Sequence, residues 1–126
     1  MDLEELKEAV ACSWTARTSD EPDAWDEMEN PQRGQCGATA LVIHDYLGGH
    51  VLVSEVTVAG RRVGVHYSNQ LPNGTSIDLT ADQFCDDEVV GAPEPIGRIQ
   101  HQPPRFGVKR YELLSSQVAK KLRGTD

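Results

Sequence analysis

Apolar residues along this chain change their period several times, and each change marks an element. Leu3, Leu6, Val10 and Trp14 recur every three to four residues, and Asp2, Glu4 and Glu5 load the first turn in the sense a helix dipole favours. This predicts a helix from Asp2 to about Trp14. Arg17 to Glu29 breaks the period: it is polar and acidic, holds Pro22 and Trp25, and is long for a structureless connection. Helical spacing returns with Ala38, Leu41, Val42 and Leu47, so a central helix runs from about Gln35 to Tyr46 or Leu47 and stops at Gly48-Gly49. The pattern then becomes β. Val51–Val58 is rich in branched residues, Ala59 to Arg61 turns the chain, and Arg62–Asn69 is a second strand. Leu71 to Thr75 reads as a hairpin with a three-residue loop, in which Pro72 opens a type I turn and Gly74 takes the left-handed position. Thr75–Leu79 is a third strand, and Thr80–Phe84 makes one helical turn. Asp86–Pro104, with four prolines, reads as loop. Val108, Tyr111, Leu114, Val118 and Leu122 then form the apolar stripe of a last helix. The expected architecture is one α+β domain over residues 1–126, its central helix packed on an antiparallel sheet of three or more strands.

Composition narrows the function. A chain of 126 residues suits one modest core. The formal net charge of −8, with no basic block, argues against a nucleic-acid partner. No apolar run reaches the ~18 residues of a membrane span and no signal segment follows Met1, so no membrane partner and a cytoplasmic location are expected. The three cysteines, Cys12, Cys36 and Cys85, are odd in number and contain no Cys-x-x-Cys, which fits neither a disulfide framework nor a zinc ribbon. His44, His50 and His101 fall at no metal-ligand spacing, so neither metal nor cofactor is expected.

The chemistry gathers at Cys36. It lies in the first turn of the central helix, two residues after Gly34, where free N–H groups and the positive end of the dipole favour a thiolate. The hairpin supplies its partners. A three-residue loop pairs Leu71 with Thr75 and hence Ser68 with Asp78. His66 then shares a face with Asp78 as a diagonal neighbour, ~7–8 Å away along the backbone and within reach of an imidazole–carboxylate hydrogen bond. The same alternation puts Val63, Val65, Tyr67 and Ile77 on the other face, which is expected to be core, together with Asn69 in a structural hydrogen bond. Cysteine, histidine and aspartate so arranged are an activated nucleophile, a proton carrier and an anchor for the imidazole tautomer. Asn30, Gln32 and Gln35 are side-chain candidates to hold an oxyanion or a substrate. Trp25 either lines the cleft or anchors its loop.

These residues carry a resemblance. Arg-Gly-Gln-Cys36 at a helix start, His66-Tyr-x-Asn69 on a strand and Asp78-Leu-Thr on the next resemble the Cys…His…Asp order of the transglutaminase-like branch of papain-fold enzymes. Asn30-Pro-x-Arg-Gly-Gln-Cys36, Asp45-Tyr-Leu-Gly-Gly49, Leu71-Pro-x-Gly74 and Ile77-Asp-Leu-Thr-x-x-Gln-Phe84 are similar to the YunG-like family of small bacterial proteins, a likeness covering about Trp25 to Phe84. Ser68 departs from that pattern, which usually has an aromatic residue there. The resemblance implies a papain-like or transglutaminase-like core and a Cys36, His66, Asp78 triad. The expected function is cysteine-dependent processing of a peptide or protein amide, as peptidase, deamidase or acyltransferase. The alternative is an inactive scaffold of the same fold that binds a basic partner through its acidic surface.

Overall fold

The computed structural model describes residues 2–97 and 105–124. Helix α1 (Leu3–Ala11) begins at Asp2, whose carboxylate accepts the Glu4 N–H, and it buries Leu6, Ala9 and Val10. It ends short of Trp14. The Ser13 hydroxyl donates back to the Ala9 carbonyl, and the Trp14 indole donates to the Thr39 hydroxyl, so the expected last turn is spent fastening α1 to the next helix. A short 3₁₀ turn at Ala16–Thr18 follows, closed by a reciprocal capping box between Thr15 and Thr18.

Helix α2 (Cys36–Leu47) is buried around most of its circumference, at Cys36, Thr39, Ala40, Leu41, Val42 and Ile43. It packs against α3 (Arg105–Leu122) on one side and against the strands on the other. Leu6, Val10, Val42, Ile43, Leu114 and Val118, all at most 1% exposed, form the core between the three helices. Each such side chain contributes about 1.5–3 kcal/mol by leaving water.

The sheet is antiparallel in the order β3-β2-β1-β4, with β5 also paired to β1. Its strands are β1 (His50–Val58), β2 (Arg61–Gln70), β3 (Ser76–Ile77), β4 (Glu88–Val90) and β5 (Glu94–Ile96). Gly49 has φ +80°, and a Cβ there would fall 2.1 Å from the Gln70 carbonyl oxygen, so only glycine lets α2 pass into β1 at this point.

The register of the hairpin follows the expectation: Asn69 pairs with Ile77 and Gln70 with Ser76, and the Leu71 N–H donates to the Thr75 carbonyl. Two expectations need correction. The loop assigned from Asp86 contains β4 and β5, three residues each, both recruited by the open edge of β1; its part beyond Gly97 lies outside the described residues. The face containing Val63 is core only toward the end of β2. Ile77 packs on the core and the Asn69 amide donates to the Ala40 carbonyl of α2, but Val63 is 59% exposed. His66 and Ser68, on the opposite face, are buried instead. Phe84 covers that face at His66, its ring meeting the imidazole edge-on at 4.9 Å.

Candidate functional site

The turn before α2 is held from both sides. On one side the Ser19 hydroxyl donates to the Arg33 carbonyl and the Asp20 N–H to the Gly34 carbonyl. On the other, the Gly34 N–H donates to the Gln83 side-chain oxygen at 3.0 Å. Gly34 has φ +74°, and a Cβ there would lie 2.3 Å from the Ser19 hydroxyl and 2.8 Å from the Glu21 nitrogen. Glycine at this position is therefore a condition for placing Cys36.

Arg33 ties three segments together. Its guanidinium meets Glu21 and Glu88 at 2.7 Å each and donates to the Gln83 carbonyl at 3.1 Å. The hydrogen bond to Glu88 is the chief cause of the rise in the Arg33 pKa, and the same bond, first among its influences, holds the Glu88 carboxyl below the usual range.

Cys36 is 8% exposed and His66 2%. The His66 Nε2 meets an Asp78 carboxylate oxygen at 2.6 Å, a charge-assisted distance. That leaves Nδ1 as the nitrogen free of the carboxylate, and Cys36 lies near enough to act on the ring's pKa. Burial alone is the largest influence on His66 and pulls its pKa down. The hydrogen bonds to Asp78 and Cys36, with the charges of both, outweigh it and raise the pKa from 6.5 to about 9. The other Asp78 oxygen accepts the Thr80 N–H at 3.2 Å, so the carboxylate also closes the turn after β3.

The remaining candidates serve the scaffold. Gln35 is fully buried, accepting from the Thr18 hydroxyl at 2.7 Å and donating to the Thr15 carbonyl at 2.9 Å. Asn30 donates to the Gln83 carbonyl and Gln32 accepts the Asp82 N–H, each at 2.9 Å. None of these hydrogen bonds involves Cys36 or His66. The Trp25 indole donates to the Pro31 carbonyl at 2.7 Å, anchoring its own loop.

Two neighbours of the site escaped the sequence reading. Gln83, 4% exposed, faces His66 Nδ1 through its side-chain nitrogen at 3.5 Å. Tyr67 has its pKa raised, first by burial and then by the charge of Cys36, with Asp20 adding to it. The Gln83-Phe84 pair in the family-like motif is the signal that could have found the first.

The sequence profile described as YunG protein matches residues 2–123. The chain belongs to the YunG protein family. A curated relative, the uncharacterized protein YunG of Bacillus subtilis (strain 168), is 37% identical over 82 residues, covering 65% of this chain. The match spans 63% of that relative's own length. No solved structure matches the chain. Among the described residues, no helix is long and apolar enough to cross a membrane.

Proposed function

We propose that this protein is a cysteine-dependent enzyme that processes amide bonds on a papain-like or transglutaminase-like core, with Cys36 as nucleophile, His66 as proton carrier and Asp78 as the anchor of the ring. The observation that carries the reading is the 2.6 Å hydrogen bond between His66 and Asp78, on a ring whose pKa Cys36 also raises. A carboxylate on Nε2 keeps a proton there, so Nδ1 is the nitrogen that exchanges a proton with the thiol. A ring with a pKa of about 9 rests as imidazolium at neutral pH, the partner a thiolate needs.

The reaction follows from that resting state. The Cys36 sulfur attacks the amide carbon, forming an S–C bond and moving the carbonyl π pair onto oxygen. As the C–N bond breaks, Nδ1–H gives its proton to the departing nitrogen, leaving a thioester and a neutral imidazole. Water then attacks the thioester while His66 takes its proton; the C–S bond breaks, the acid leaves, and thiolate and imidazolium are restored. An amine in place of water gives acyl transfer, and a primary carboxamide substrate gives deamidation.

A second reading, a binding module on the same scaffold, is favoured by the low exposure of Cys36 and His66, which leaves a substrate little room without a local opening. The acidic stretch from Ser19 to Glu29 would then meet a basic partner. The two readings separate in one experiment. Peptide aminocoumarin amides, glutamine peptides and hydroxylamine trapping report peptidase, deamidase and acyl-transfer turnover, each compared with Cys36→Ala. Turnover lost in Cys36→Ala supports the enzyme. No turnover in any format, with capture of a basic peptide unaffected by Cys36→Ala, would leave the binding module.

A further inference from the structure

Acids outnumber bases in this chain by 20 to 12, yet three of the twelve bases converge on one groove. Arg17 comes from the 3₁₀ turn at Ala16–Thr18, and Lys109 and Arg110 come from α3. The 3₁₀ turn packs directly on α3, which is why cations so distant in sequence meet. Arg110 is already engaged, because its charge acts on the carboxyl of Asp20, next to the groove wall at Ser19. Arg17 and Lys109 are different. Both are exposed, and neither has an ion pair among the described residues. Like charges gathered round a concave surface repel one another and give it a potential that attracts anions. Between them the lining is apolar, supplied by Ala16, Pro22 and Leu113.

We infer that this groove binds an organic anion, a carboxylate or phosphate carried on an apolar body, with Arg17 and Lys109 as its counter-charges. The volume of about 470 Å³ lies in the ~300–1,000 Å³ range of small-molecule sites and far exceeds what an inorganic oxyanion fills. Arg17 offers the planar fork that fits either oxyanion, and Lys109 a mobile point charge. Ala16, Pro22 and Leu113 take the apolar body out of water. The groove wall belongs to the segment that fastens the turn before α2: the Ser19 hydroxyl donates to the Arg33 carbonyl, and the Asp20 N–H to the Gly34 carbonyl. The ligand therefore sits behind that turn and apart from the reactive groups, since neither Cys36 nor His66 lines the groove.

NMR titration of the full ¹⁵N-labelled chain with four probes separates charge from shape: phenyl phosphate, benzoate, inorganic phosphate and benzyl alcohol. The expected result is saturable shifts at the amides of Arg17, Ser19, Lys109 and Leu113 with phenyl phosphate or benzoate. The tighter of the two tells a phosphate site from a carboxylate site. Inorganic phosphate should bind more weakly than the tighter aromatic anion, and benzyl alcohol should not bind. The double variant Arg17→Gln, Lys109→Gln changes two exposed side chains and should bind at least about tenfold more weakly, having lost two charge-assisted contacts. If it fails to fold, Lys109→Gln alone decides, with a loss of at least about threefold. Shifts that never saturate, or that centre on Cys36 and His66, overturn the inference. So does binding that is unchanged in the variant, that benzyl alcohol matches, or that inorganic phosphate matches.

Discussion

Replacing Asp78 by asparagine removes a charge from a buried ring while changing almost no volume, and its consequence is a change in pH dependence. In the intact protein the His66 pKa is displaced from 6.5 to about 9. That displacement corresponds to about 3 kcal/mol of folding free energy, at about 1.4 kcal/mol per pKa unit. The folded value is the raised one, so this stabilisation is fully present below pH 6.5 and is lost as pH rises through 9. Of the influences that raise the pKa, the hydrogen bond to Asp78 is the largest, opposed by burial. An adjacent opposite charge moves a pKa by about 1–3 units. In Asp78→Asn the histidine should therefore titrate at least about one unit lower, because burial then meets less opposition. The stability gap between the two proteins should be widest at pH 6.5 and narrow by about 1–3 kcal/mol by pH 9.5. Urea denaturation across that range, paired with NMR titration of the His66 ring, measures both quantities. A wild-type ring that titrates at or below 6.5, or a gap that stays constant or widens with pH, would show that Asp78 does not hold the proton on His66.

Further outcomes follow from the same contacts. Cys36 should react with iodoacetamide faster than the exposed Cys12 and Cys85, and peptide mapping by mass spectrometry reads the order; the reverse order, which exposure alone dictates, counts against a thiolate. Cys36→Ala should remove that labelling and any turnover while changing stability by no more than ~1–2 kcal/mol, measured by urea melts. Gly34→Ala should cost more than ~1 kcal/mol and slow Cys36 labelling, because the new Cβ meets Ser19 and the Glu21 backbone at a left-handed position. Arg33→Lys should lose the simultaneous grip on Glu21, Glu88 and the Gln83 carbonyl, lowering stability by about 1–3 kcal/mol. A melting curve identical to wild type would show that the clamp is not stabilising.

What the sequence made legible was local. Pro72 and Gly74 set the loop length, loop length sets register, and register placed His66 diagonal to Asp78, the contact seen at 2.6 Å. The helix starting at Cys36 was readable because glycines bracket an apolar period. What failed depends on distant partners. Alternation assigns Val63 to the core, but α2 meets β2 around Asn69 and leaves Val63 uncovered. Strands of three residues, such as β4 and β5, carry too little pattern to be seen among prolines and exist only because β1 offers an edge. The amides of Asn30, Gln32 and Gln35 lie next to Cys36 in sequence, and adjacency suggested catalysis. Their bonds to Gln83, Asp82, Thr15 and Thr18 close the turn instead. Gln83 lies 47 residues beyond Cys36, and apart from the Gln83-Phe84 motif no local pattern points its side chain to His66.

The most direct test of the central claim is whether Cys36 takes up an acyl group with the help of His66. Stopped-flow mixing of the protein with p-nitrophenyl acetate, with the modified residue located by mass spectrometry, gives both the rate and the site. The expected result is a stoichiometric burst of p-nitrophenolate with acetyl on Cys36, absent in Cys36→Ala and slowed about 10²-fold or more in His66→Ala, in the range found for positioned acid–base partners. Acetylation spread over Cys12, Cys85 and lysines with no burst, or a burst indifferent to His66, would contradict it.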